Sequence, residues 1–201
     1  MYHSDWYIPD VHRVERRTRE PLGGERRSVR VKLAALAGIA ASLIAPIGAA
    51  LAANASAARH PTETCATQSG ASFPHAFTSR DNLAIGPLAL VGAGTFTDAE
   101  TVRRFGGNKF PLLVAAGHTV TIEVTLRQAS LAYGSHSRTG HRVMTFRACH
   151  RHAAASTADG KPVTFWSGFV QTPRPACVAL RIWIDRERKP RQAHIALGKR
   201  C

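Results

Sequence analysis

Cys177-Val178-Ala179-Leu180-Arg181-Ile182-Trp183-Ile184 is the stretch on which the reading of the fold turns. Val178, Leu180, Ile182 and Ile184 fall on one side of a period of two, with Ala179, Arg181 and Trp183 on the other. That alternation describes a β-strand with one buried and one wet face. Just before it runs Val163-Thr164-Phe165-Trp166-Ser167-Gly168-Phe169, an aromatic segment that reads as a neighbouring strand. Cys149 and Cys177 flank this segment, and strand ends held side by side bring cysteines within disulfide reach. The expected bridges are therefore Cys149–Cys177 and, closing the domain near its two ends, Cys65–Cys201.

Working outward from this block, the same period recurs. Val120, Ile122, Val124 and Leu126 alternate with Thr119, Thr121, Glu123 and Thr125, one apolar face and one wet, as antiparallel sheets commonly show. Leu83–Val91 reads as an edge strand or bulge, because Pro87 cannot donate to a ladder. Further short strands are expected at 110–114, 131–133, 144–148 and 193–197, and Asp98–Phe105 as a short helix. Frequent turn residues between short strands, with almost no helix, predict an all-β fold. The specific expectation is a single antiparallel β-sandwich, immunoglobulin-like or jelly-roll-like, over residues 79–201, with a closed barrel as the alternative.

The N-terminal part has a different character. Residues 1–32 are polar and arginine-rich without apolar period, which reads as a disordered basic cytoplasmic tail. Residues 33–57 hold a charge-free apolar run, Leu33–Ala53, directly after Arg30 and Lys32, followed by small-residue sites such as Ala53-Asn54-Ala55. A basic flank, an apolar helix and a small-residue site make an export signal or a membrane anchor. Either form leaves the globular part outside, secreted or held at the outer face of the membrane. Residues 58–78, with Pro61, Gly70 and Pro74, read as a linker. An even number of cysteines, four, all beyond the apolar run and without a C-x-x-C pair, fits two disulfides in an oxidising compartment.

The 201-residue chain carries 27 basic and 13 acidic residues, a net charge of +14. From Ala58 onward the counts are 19 and 8, so the domain itself is at +11. Such a surface is drawn to an anionic cell-wall polymer or membrane surface. Nucleic acid is the weaker reading, since the basic residues are scattered and arginine outnumbers lysine 22 to 5, a compositional bias.

No motif specifies a reaction. Gly92-Ala93-Gly94 lacks the third glycine of a dinucleotide loop, Thr97 standing there, so no cofactor is expected. Cys149-His150-Arg151-His152 reads as a solvated loop rather than a metal site, because the arginine disfavours a cation. Ser135-His136-Ser137 sits in a polar loop with no orienting acid evident nearby in sequence. No pair of carboxylates is spaced for glycoside cleavage. Tyr133, Trp166 and Trp183 offer a sugar or peptide platform wherever two stand exposed together, and Trp183 leads because Arg181 shares its face.

Asp81-Asn82-Leu83-Ala84-Ile85-Gly86-Pro87-Leu88, Gly117-His118-Thr119-Val120-Thr121-Ile122, Phe165-Trp166-Ser167-Gly168-Phe169, Cys177-Val178-Ala179-Leu180 and Leu197-Gly198-Lys199-Arg200-Cys201 occur in this order. Over roughly residues 75–201 the chain resembles a family of exported actinobacterial proteins with small disulfide-bonded β domains. That resemblance implies export and a β domain and transfers no catalytic residue. The expected function is an exported, non-catalytic β-sandwich of the cell envelope that binds an anionic polymer or a protein partner. The alternative is a small envelope hydrolase.

Overall fold

Period-two alternation builds strands at both places where it was read most clearly. The computed structural model describes residues 60–201, and within them lie β1 (Thr62–Glu63), β2 (Ser72–Phe73), β3 (Leu83–Ile85), β4 (Leu88–Leu90), α1 (Ala99–Phe105), β5 (Gly107–Lys109), β6 (Leu112–Ala115), β7 (Thr119–Val124), β8 (Ser130–Tyr133), β9 (Val143–Arg147), β10 (Ser156–Ala158), β11 (Lys161–Trp166), β12 (Gly168–Gln171), β13 (Ala176–Ile184) and β14 (Arg191–Leu197). Within the described residues the fold is all-β with one short α-helix, which Asp98 caps by accepting the Thr101 N–H at 2.7 Å. The expected disordered tail at 1–32 and the expected signal or anchor segment at 33–57 lie outside the described residues. Among the described residues no helix is long and apolar enough to cross a membrane.

Three sheets form. A five-stranded sheet runs β1-β9-β7-β13-β14, a six-stranded sheet β2-β10-β11-β6-β4-β3, and a three-stranded sheet β5-β12-β8. One buried cluster takes side chains from all three: Leu88, Leu112 and Val114 from the six-stranded sheet, Ile122, Phe146 and Ile182 from the five-stranded one, and Tyr133 and Val170 from the third. Each strand gives this core every second residue, which is why β7 and β13 alternate so regularly.

The sheets are mixed rather than purely antiparallel. β1 runs parallel to β9 and β2 parallel to β10, while the other strand pairings are antiparallel. Thr62 meets Thr145 and Ser72 meets Thr157 across long stretches of chain, so no tight turn dictates their direction. Both parallel strands come from 60–78, which corrects the reading of that segment as a linker. Its described part closes one edge of each larger sheet and is tied down by Cys65.

Two runs read as single strands are each divided. Leu83–Val91 folds into the β3–β4 hairpin, turning at Gly86-Pro87 with Ile85 opposite Leu88. The aromatic run breaks at Ser167: β11 pairs with β6 and β10, and β12 with β5 and β8. At Gly168 a Cβ would collide with the Tyr133 ring and the Ala132 carbonyl, so the crossing from one sheet to the next requires glycine there.

This crossing also re-pairs the cysteines. All four are bonded, but as Cys65–Cys149 and Cys177–Cys201, not in the expected pairing. The expectation placed β11 beside β13; they belong to different sheets. Cys149 ends the stretch after β9, on which β1 lies, so Cys65 is its neighbour. Cys177 stands opposite Ala196 on β14, and the chain returns past Gly198 to bring Cys201 back to it. Two disulfides fit an oxidising environment.

Candidate functional site

The outward residues of the five-stranded sheet form a mostly polar face. Register places Thr62, Thr145, Thr121 and Trp183 side by side on β1, β9, β7 and β13. The next row holds Val143, Glu123, Arg181 and Gln192. Thr121 and Thr145 share a hydrogen bond at 2.9 Å between their hydroxyls. The Glu123 carboxylate lies 3.8 Å from an Arg181 nitrogen and 3.9 Å from an Arg142 nitrogen. At those separations the guanidinium N–H donors are only loosely engaged. Arg147 is exposed at one end of the same face.

Trp183 is half-buried and belongs neither to a buried cluster nor to the apolar residues packed against one. It stands where the sequence placed it, on the wet side of its strand beside Arg181. The two other aromatics named with it do not join it. Tyr133 is fully buried and donates its hydroxyl to the Phe110 carbonyl at 3.0 Å, and burial raises its pKa. Trp166 is fully buried, its indole N–H directed at the Thr64 carbonyl (3.3 Å) and the Thr67 hydroxyl (3.1 Å). These are core positions with their polar ends satisfied, which removes both from the binding face.

The six-stranded sheet treats its outer face differently. Ala89, Leu113, Val163 and Ala158 point outward there and are buried together with Ala76, with Phe73, Phe77 and Phe165 packed against them. The covering segment is pinned by polar side chains. Asp159 accepts the backbone N–H groups of His75 and Phe77, and the Asn82 amide donates to the carbonyls of His75 and Ala76.

A second polar cluster joins β1 to the turn after β8. Glu63 is fully buried and accepts from the hydroxyls of Thr67 (2.5 Å) and Ser135 (2.8 Å) and from the His136 N–H (3.2 Å). His136 Nδ1 lies 2.8 Å from Glu63 Oε1 and 3.0 Å from Ser135 Oγ. Burial alone would raise the Glu63 pKa, but these hydrogen bonds outweigh it and hold the carboxyl below its ordinary value. Gly134 has φ +54°, and a Cβ there would run into the carboxylate, so the turn fits around Glu63 only as glycine.

The structure thus supplies the acid that the sequence did not show beside Ser135 and His136. The arrangement is still not that of a hydrolytic triad. In a triad one ring nitrogen holds the acid and the other takes the nucleophile's proton. Here serine and glutamate both meet Nδ1, and the serine hydroxyl donates to the carboxylate. The cluster acts chemically as a clamp on the disulfide-bearing segment. No signal in the sequence marked Glu63, which lay in the presumed linker; the threonines of β7 were visible as the wet side of an alternating strand.

Elsewhere the chemistry is sparse. Among the described residues no three His, Cys, Asp or Glu side chains converge to hold a metal ion. His118 Nδ1 meets Asp185 at 2.8 Å, and the Thr119 N–H with His118 keeps that carboxyl below its ordinary pKa, partial burial opposing them. A shallow depression lined by Leu126, Arg127 and Gln128 holds no acid or base pair. The chain matches no protein-family model, no curated protein and no solved structure.

Proposed function

We propose that the chain is exported and that its all-β domain is a non-catalytic module of the cell envelope, binding an anionic polymer on the outer face of the five-stranded sheet. The observation that carries this reading is the exposure of Arg147 and Arg181 on one sheet face. A large aromatic stands beside Arg181 on a face that neither apolar cluster covers. Arg147 is exposed on the same face and Arg142 approaches Glu123 there, while Asp185 stands opposite Thr119 in the row of Arg147.

The excess of basic over acidic residues draws polyanions to the domain generally, and this face gives them a place to dock. Export is supported by the apolar run after Arg30 and Lys32, by the two disulfides, and by the resemblance to exported actinobacterial proteins. The domain is taken as a β-sandwich, a reading supported by the single core to which both larger sheets contribute.

The test is retention of the purified full-length chain on immobilised dextran sulfate at about 10 mM salt, where the Debye length is about 30 Å. Retention is expected to fall steadily as salt rises, and Arg181→Ala/Arg147→Ala should elute earlier than the parent. No retention even at that salt would remove the binding reading. A fusion of residues 1–60 to a reporter active only outside the cytoplasm tests export separately, and an inactive exported reporter with an active cytoplasmic one would overturn it.

A further inference from the structure

We infer that the ligand of this face is a linear glycan carrying acidic groups, stacked on Trp183 and laid across the threonine row. This rests on the binding reading above and adds the chemistry of the ligand. Thr62, Thr145, Thr121 and Trp183 lie on four neighbouring strands. At the usual strand separation of about 4.8 Å the row is about 14 Å long, roughly two to three sugar rings end to end. It therefore offers one aromatic surface followed by three hydroxyls in register.

The side chains suit a sugar better than any other polyanion. A pyranose has an apolar C–H face, which packs on an indole, and a rim of hydroxyls that both donate and accept. Threonine hydroxyls do the same from the protein side. Thr121 and Thr145 satisfy only part of that capacity in bonding each other. Gln192 adds an amide in the second row, and Arg181 supplies fork-shaped donors for a carboxylate or phosphate on the chain.

A bare polyanion such as polyphosphate uses the arginines but gains nothing from the indole. A lipid surface takes up protruding apolar side chains, and the strongly exposed ones lie elsewhere: Phe96 before α1, Phe105 at its end, and Phe169 on β12 of the third sheet. A protein interface buries a core of several apolar side chains. The two rows here hold only Trp183 and Val143 as apolar residues, two strands apart.

The experiment titrates the full-length chain with polygalacturonate, with its fully methyl-esterified and hence uncharged counterpart, and with polyglutamate of matched length. Binding is expected to be tightest for polygalacturonate. Trp183→Ala should weaken both sugar polymers about tenfold and leave polyglutamate unchanged. Arg181→Ala should weaken the two charged polymers and spare the esterified one. Thr121→Val/Thr145→Val, which preserves shape, should weaken only the sugars. Thermal unfolding of each variant checks that the fold is retained. Equal affinity for polygalacturonate and polyglutamate, with Trp183→Ala altering neither, would overturn the glycan inference while leaving the polyanion reading standing. Failure of every polymer to bind at low salt would overturn both.

Discussion

The outer faces of the two larger sheets are built from similar strands and end up opposite in character. On the six-stranded sheet, outward positions carry Ala89, Leu113, Val163 and Phe165, and the chain folds residues 73–77 back over them. On the five-stranded sheet they carry threonines, Glu123, Arg181 and one tryptophan, outside both apolar clusters. An outward apolar side chain gains from burial by about 25 cal/mol per Å². A covering segment forms where several adjoin, as on the first face. Trp183 has the largest apolar surface of any side chain type and is only half-buried, outside both clusters. The contrast teaches that the first face serves stability, whereas the second leaves part of a large indole in contact with solvent.

The largest effect expected from disturbing this arrangement is loss of the bridge that anchors the edge strands of both sheets. Cys65 and Cys149 are 84 residues apart, and closing such a loop is worth about 4.5 kcal/mol in the chain-entropy model. Cys65→Ser/Cys149→Ser should lower the unfolding midpoint more than Cys177→Ser/Cys201→Ser, whose loop spans 24 residues and is worth about 3.5 kcal/mol. Denaturant titration of the two pairs ranks them directly. Next in size is the covered face. Leu113 is fully buried beneath the covering segment, and Leu113→Ala should cost about 3 kcal/mol through lost contact and cavity. Polymer affinity should be untouched.

The Glu63 clamp gives a smaller effect with a pH signature. Glu63→Gln replaces a charged acceptor by an amide whose NH₂ faces donors, and should cost about 2 kcal/mol near neutrality. Because the folded carboxyl titrates below its ordinary value of 4.5, the unfolded chain takes up the proton first as pH falls. The stabilisation by Glu63 is therefore complete above about pH 4.5 and is lost below it, as pH drops through the folded value. Asp185 shifts in the same direction and remains in both proteins, so the difference between parent and variant isolates Glu63. A constant difference from pH 7 to pH 3 would show that the carboxylate's charge plays no part in the clamp.

Much of this fold is legible in the sequence because alternation is local. The 178–184 and 120–124 patterns identify β13 and β7 with the correct inward sets, and Thr121 and Arg181 on the correct wet face. Sheet membership is not local. Nothing in Phe165-Trp166-Ser167-Gly168 says that the chain leaves one sheet for another there, and the cysteine pairing followed that missing fact. Trp166 and Trp183 have the same composition-level signature, yet one sits inward at 0% exposure and the other outward. Only the register against β6 and β7 separates them. Glu63 was hidden for a related reason. A two-residue strand has no period to read, and its partner Ser135 lies 72 positions away.

The smallest expected effect on stability is at Trp183, and it is also the most informative. The direct measurement is the unfolding midpoint of the full-length parent and of Trp183→Ala, each with and without saturating polygalacturonate. A ligand that binds only the folded state raises the midpoint in proportion to its binding free energy. The account predicts a ligand-free midpoint within about 1 kcal/mol of the parent for Trp183→Ala, as for a surface substitution, together with a ligand-induced rise that is largely lost. A variant that melts far below the parent and keeps the full rise would contradict it, placing Trp183 among the residues that hold the fold together.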